Sequence, residues 1–277
     1  IVSSKDTDLS FIHAMTDSMM HRGPDGRGIK LFNSCLDLFD GEDNQTSYEN
    51  KNYDYGIIAL GHRRLSVIDP KTSSNQPMSY LESRYWITFN GEIFNYIELR
   101  EELVGFGYNF LTNSDTEVIL AAFDKWGVEC QNKFNGMWAF CIIDRKDKKI
   151  FLSRDRFGEK SLYYSVKNNI LYFASEIKAI FLSGNIKPFI QSEKAETFVK
   201  YGPNEYTFET IYEDIFRLMP GCYFYFNLGD NLNTIKQKKY WFLEVNHSKE
   251  AFNEKAAKKY AEDYYALLKD SVKIRLR

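Results

Sequence analysis

The sequence predicts an α+β fold in which antiparallel sheet is layered with helices, and three observations carry that reading. Four strand-like segments, residues 137–144 (MWAFCIID), 149–155 (KIFLSRD), 161–165 (SLYYS) and 170–175 (ILYFAS), follow one another at close intervals and read as a meander. Segments with helical spacing group before and after strands instead of alternating with them one for one, which argues against a parallel sheet. A chain of 277 residues is also long enough to bury a full hydrophobic core.

From the start, Leu9, Ile12, Met15 and Met19 have helical spacing over residues 8–20, and HRGPDGRG (21–28) stops that helix with a proline and three glycines. Residues 31–55 are polar and rich in Asn and Asp, and read as a strand with an exposed insertion. YGIIALGHRRLSVID (55–69) reads as strand, turn, strand, and RYWITFNG (84–91) as a third strand. Asn95 with Glu98, and Ser114 with Glu117, have the spacing of a capping box. They predict helices over 96–104 and 115–126, each ended by glycine. SEIKAIFLSG (175–184) closes with a short helix, and RLMPGCYFYF (217–226) and KKYWF (238–242) each contribute a strand. A polar linker at 244–249 separates a first domain, residues 1–243, from the stripe of Ala257, Tyr260, Tyr264, Leu267 or Leu268, and Val272. That stripe predicts an amphipathic helix over 250–275, the start of a second domain within 244–277.

Charge and cysteine usage exclude several function classes. Lys and Arg number 36 against 38 Asp and Glu, mixed along the chain, so no basic face points to nucleic acid or anionic lipid. Small molecules are the expected ligands. Cys35, Cys130, Cys141 and Cys222 are widely spaced and do not cluster with the four histidines, which predicts neither a zinc site nor a disulfide framework. A reducing, cytoplasmic setting follows, and no stretch has the length of a membrane span.

The chemistry centres on FNGEIFN (89–95), where a strand ends in an amide, a glycine and a carboxylate. Asn90 offers two side-chain N–H groups and Gly91 lets a backbone N–H approach a substrate without a Cβ in the way, a pair suited to an oxyanion hole. Asn-Gly is also an ordinary turn dipeptide. Arg63 and Arg64 after a strand fit one solvated arginine and one structural ion pair, and Asp115 at a helix start fits the macrodipole without any ligand.

Together with HRGPDG (21–26), HRRLSVID (62–69), SDTEVI (114–119), GMWAFCIID (136–144), SRDRFGEKSLYY (153–164), FASEIKAI (173–180) and MPG (219–221), the FNGEIFN segment occurs in one order. The set resembles the glutaminase domain of glutamine-hydrolysing asparagine synthetases, a class II glutamine amidotransferase of the N-terminal-nucleophile type, from Ile1 to about Phe242. The tail at 260–277 resembles the first helix of that family's synthetase domain. The resemblance implies a four-layer αββα sandwich of two antiparallel sheets. It assigns Asn90 and Gly91 to the oxyanion hole and Arg64 to the α-carboxylate of L-glutamine. Leu65, Ser66, Val67 and Ile68 would line the pocket, and Glu92 and Asp115 would accept from the α-ammonium. The loop at 21–25 is implied to be structural.

The family's nucleophile is an N-terminal cysteine whose own α-amine shuttles the proton, expected here just before Ile1. The chain as it stands is therefore expected not to turn over glutamine. No cofactor or metal is implied for residues 1–243. ATP, Mg²⁺ and aspartate belong to the synthetase domain, where ammonia would convert aspartate to asparagine. Two alternatives remain: a scaffold domain of a β-lactam-synthetase-like protein without the nucleophile, or a relative amidating another carboxylate. Glucosamine-6-phosphate synthase and phosphoribosylpyrophosphate amidotransferase share the glutaminase fold, and the tail argues against them. The family often dimerises, so a homodimer is compatible with the resemblance.

Overall fold

A computed structural model describes residues 1–39, 55–202, 206–245 and 253–276. Most of the predicted insertion and linker lies outside them. In chain order the elements are β1 (Val2–Asp8), α1 (Ile12–Asp17), β2 (Gly26–Phe32), β3 (Leu38–Phe39), β4 (Tyr55–Arg64), β5 (Met78–Tyr80) and β6 (Tyr85–Ile93). Then come α2 (Tyr96–Gly105), α3 (Asp115–Trp126), α4 (Cys130–Lys133), β7 (Gly136–Asp144), β8 (Lys149–Arg154), β9 (Tyr163–Lys167) and β10 (Ile170–Ala174). The rest are α5 (Ile177–Phe181), α6 (Ser192–Tyr201), β11 (Phe216–Arg217), β12 (Cys222–Asn227), β13 (Lys238–Lys239) and α7 (Glu254–Ile274).

The strands make two antiparallel sheets, ordered β11-β9-β10-β1-β4-β2-β3 and β13-β12-β8-β7-β6-β5. Three apolar cores separate the layers. β7 shows why: Trp138, Phe140 and Ile142 point into the core under α2 and α3, while Ala139, Cys141 and Ile143 point into the core between the sheets. A strand buried on both faces needs an apolar residue at every position, and its two-residue period deals them alternately to the two cores. The third core packs α1 and α5 on the other sheet through Ile12, Met15, Leu31, Ala59 and Ile180. Helices therefore flank both sheets, as the αββα expectation requires.

Several local expectations are corrected. Residues 55–69 do not form two strands about a turn. β4 runs unbroken from Tyr55 to Arg64, and its Gly61 serves packing, since a Cβ there would lie 2.0 Å from Thr16 Oγ1. The predicted helix over 8–20 shortens to α1, preceded by β1, whose polar sequence hides a central strand. The meander also divides, with β7 and β8 in one sheet and β9 and β10 in the other. The Asp155 carboxylate organises the connecting loop by accepting from the backbone N–H groups of Trp138, Phe157, Glu159 and Lys160 at 3.0–3.2 Å. Arg154 ties the same loop down by donating to the carbonyls of Gly158, Lys160 and Leu218.

Of the two capping boxes, Ser114 does cap α3, its Oγ accepting from Thr116 N–H at 3.1 Å. Glu117 instead takes the N–H groups of Leu111 and Thr112. Asn95 caps nothing and bridges to the far corner, accepting from Asn135 N–H at 2.8 Å and donating to Lys133 O at 3.0 Å. α6 was not foreseen. The final helix is present as α7, capped by Asn253, with none of its residues buried. No helix among the described residues is long and apolar enough to cross a membrane.

Candidate active site

The site grows from one edge of β6. This strand pairs with β7 along its whole length but with β5 only from Tyr85 to Ile87. Beyond Ile87 the β5 side is open. Phe94 N–H donates to Asn135 O on the β7 side at 2.8 Å, so the alternation of an antiparallel ladder sends the N–H groups of Phe89, Gly91 and Ile93 to the open edge. Side chains take two of them. Gln76 Oε1 accepts from Phe89 N–H at 2.6 Å, and Asp115 Oδ2 accepts from Ile93 N–H at 3.0 Å. Gly91 N–H lies between these capped groups and borders a cavity of about 460 Å³. Only glycine fits there, because a Cβ would lie 2.1 Å from Met137 O.

Asn90 borders the same cavity, its Nδ2 3.4 Å from Ser175 Oγ at the end of β10. Asp115, the first residue of α3, is buried beside Glu92. Burial pushes its carboxyl up to about 6, the Ile93 N–H works against that shift, and the Glu92 charge adds to it. Burial also raises Glu92, against the opposing charges of Lys160 and Arg275. The guanidinium of Arg275, just past α7, sits 4.4 Å over the Phe94 ring. Two carboxylates thus face a space with unused capacity to accept hydrogen bonds.

Arg64 lines the cavity, but its guanidinium is already engaged. It donates to Lys71 O and Asn75 Oδ1 at 3.0 Å, to Ile68 O at 3.2 Å, and to Asp69 O, shaping the loop that follows β4. Leu65, Val67 and Ile68 line the cavity with it. Ser66 does not: its N–H donates at 2.8 Å to Asp25, which ties that loop to the one at 21–25. His21 and Arg22 meet Glu176 at 2.8 and 3.1 Å, holding the 21–25 loop against the start of α5.

Sequence reasoning missed Gln76, His62, Lys160 and Ser175, all on the cavity wall. Lys160 and Ser175 lie within segments already singled out, but nothing in their spacing shows which side chains turn inward. His62 is half-buried, with Nδ1 3.3 Å from Thr88 Oγ1. Burial, reinforced by the Arg64 charge, lowers it to about 4, so it is a neutral imidazole at pH 7. Also on the cavity wall, Ile1 N donates to Ala59 O at 2.8 Å, and Ala59 N–H donates back to Ile1 O at 3.0 Å.

Known proteins resemble this chain in sequence and in fold. A Bacillus subtilis asparagine synthetase (glutamine-hydrolyzing) 1 is 42% identical over 174 residues, covering 63% of this chain and 24% of its own. A Methanocaldococcus jannaschii protein provisionally named asparagine synthetase (glutamine-hydrolyzing) 2 is 36% identical over 284 residues, covering 96% of this chain and 49% of its own. The amidase chry2 of Gibberella zeae is 29% identical over 263 residues, covering 94% of this chain and 34% of its own. The chain thus spans about half the length of these relatives at most.

In fold, a B. subtilis glutamine phosphoribosylpyrophosphate amidotransferase, solved with ADP and GMP, superposes with a TM-score of 0.61 at 18% identity. The match covers 89% of this chain and 50% of that one. Residues 40–241 match the family described as the glutamine amidotransferase domain. With its two antiparallel sheets between helices, the chain belongs to the class II glutamine amidotransferase domain family.

Proposed function

We propose that this chain is the glutaminase part of an enzyme of the asparagine synthetase kind, which hydrolyses L-glutamine to glutamate and ammonia. The observation that carries the reading is the open edge of β6, where Gly91 lies between the capped N–H groups of Phe89 and Ile93 and borders one cavity with Asn90, Asp115 and Glu92. The glutamine amide oxygen would sit between Gly91 N–H and Asn90 Nδ2, donors fixed in place before charge develops on that oxygen. Asp115 and Glu92 would accept from the α-ammonium, which also relieves the cost of burying their charges. Arg64 would meet the α-carboxylate by exchanging one of its loop acceptors for it.

The nucleophile would be a cysteine thiolate two positions before Ile1. The Ile1–Ala59 pair supports this, because continuing the ladder sets that residue opposite Gly61, on the cavity wall. Sulfur would bond to the amide carbon, the C–N bond would break, and the terminal amine would pass the thiol proton to the departing ammonia. Water would then release glutamate from the thioester and return the thiol.

Residues 1–243 would carry this half-reaction, and residues 244–277 would begin the synthetase domain. ATP with Mg²⁺ would activate aspartate there, outside this chain, and ammonia would convert it to asparagine. Among the described residues no group of three His, Cys, Asp or Glu could hold a metal ion. A second reading concerns the acceptor alone, another carboxylate in place of aspartate, and it stays open because one relative is named an amidase and not an asparagine synthetase.

The test is the terminal sequence of the native polypeptide together with a glutaminase assay. A terminal cysteine, with turnover lost on its change to alanine, is the expected result. A native chain with no cysteine there and no glutamine binding would make the domain a scaffold.

A further inference from the structure

Gln76 stands where three elements meet. Its backbone carbonyl packs on β2, where a Cβ at Gly28 would lie 2.0 Å from it. In the register of β5 and β6, Met78 opposes Ile87, so Gln76 falls opposite Phe89. Pro77 interrupts the ladder there, and the Gln76 side chain supplies the acceptor that the main chain does not. Phe89 N–H can only donate, which orients Oε1 toward it at 2.6 Å and leaves Nε2 to donate to Thr116 Oγ1 at 3.4 Å. One buried amide therefore spans from the residue before Asn90 to the residue after Asp115.

We propose that Gln76 is a positioning residue for the glutaminase site, holding the oxyanion edge of β6 at a fixed spacing from the ammonium-receiving end of α3. This rests on the glutaminase reading above. The side chain type is dictated by the span. Glutamate keeps the acceptor and loses the donor, asparagine is one methylene too short, and leucine leaves Phe89 N–H buried without a partner. Because the amide touches both halves of the site, its loss should move kcat through the oxyanion donors and KM through Asp115 together.

The experiment uses the full-length enzyme and the variants Gln76→Leu, Gln76→Glu and Thr116→Val, with L-glutamine turnover, glutamine binding and backbone amide hydrogen exchange as readouts. Gln76→Leu should lower kcat/KM about 10-fold to 100-fold, with kcat falling and KM rising, and should speed exchange over residues 88–93 and 114–117. Gln76→Glu should keep much of kcat. Its added negative charge, held on Thr116 beside Asp115, should raise the Asp115 carboxyl and shift the pH midpoint of glutamine binding upward, against the cationic Arg22, Arg63, Arg64 and Lys160 and with the like charge of Glu92 on the same cavity, where His62 also lies and Arg275 sits beyond Glu92. Thr116→Val should cost a few-fold at most.

If Gln76→Glu and Thr116→Val leave kcat, KM and the pH midpoint unchanged, or if Gln76→Leu lowers only thermal stability, the positioning role is overturned. If the wild-type enzyme neither binds nor hydrolyses glutamine, the glutaminase reading fails. In that case faster exchange at both segments in Gln76→Leu would still support the spacing role, and unchanged exchange would overturn it too.

Discussion

The two halves of β6 share one partner strand and one register, yet they do different work. From Tyr85 to Ile87 the strand is paired on both sides, and its side chains reinforce the fold. Tyr85 Oη donates to Asp124 at 2.8 Å, and the neighbouring Arg84 pairs with Asp144 at 2.9 Å. From Phe89 to Ile93 the β5 side is missing, and only side chains cover the exposed N–H groups. An open strand edge invites pairing with another chain. Here two of its donors are capped by Gln76 and Asp115, and the one between them faces the cavity. The difference teaches that this site is made by ending a neighbouring strand early, with β6 itself left regular.

The largest expected effect is at Gly91, the centre of the open half. Gly91→Ala would drive a Cβ into Met137 O, costing about 3 kcal/mol in urea unfolding and abolishing glutamine binding in calorimetry. Next is Asp115→Asn, which keeps an acceptor for Ile93 N–H and removes the charge. Glutamine affinity should fall about 100-fold, while stability at pH 7 rises because a buried, unpaired carboxylate is gone. A variant that loses both stability and binding would show that Asp115 serves packing alone.

A finer test is pH dependence. The Asp115 carboxyl is raised from 3.8 to about 6, so its contribution to stability is full below pH 3.8 and is lost as pH rises through 6. His62 is lowered from 6.5 to about 4, so its contribution is present above pH 6.5 and is lost as pH falls through 4. The two slopes oppose each other between about pH 4 and 6. Asp115→Asn should leave a clear rise of stability with pH in that window, measured by denaturation at each pH. In the wild type, glutamine affinity should increase as pH passes 6, since the ionised Asp115 holds an ammonium more strongly than the neutral acid does. The smallest effect belongs to the paired half. Tyr85→Phe should cost about 1 kcal/mol through its lost hydrogen bond and leave glutamine affinity unchanged.

What the sequence determined by itself is what a few neighbouring residues decide. The strand over 137–144 follows from its apolar, aromatic and β-branched run, and Ser114 capped its helix because the acceptor and the N–H are two residues apart. Asn90 and Gly91 were legible as candidates because only an amide and a missing Cβ suit close approach to a ligand. The order of the motifs, read as a resemblance, supplied the layered fold.

Tertiary structure decided the rest. Asn95 looked like a cap and instead bonds 40 residues away, and Gly61 looked like a turn until Thr16 packed on it. Arg64 spends its guanidinium on four loop acceptors that no local pattern reveals. Gln76 carries no signal beyond standing before a proline. A strand's own two-residue period decides which face each side chain takes. Which N–H groups along its edge stay open depends on partners distant in the chain, and the candidate site lies where two such partners stop short of Gly91.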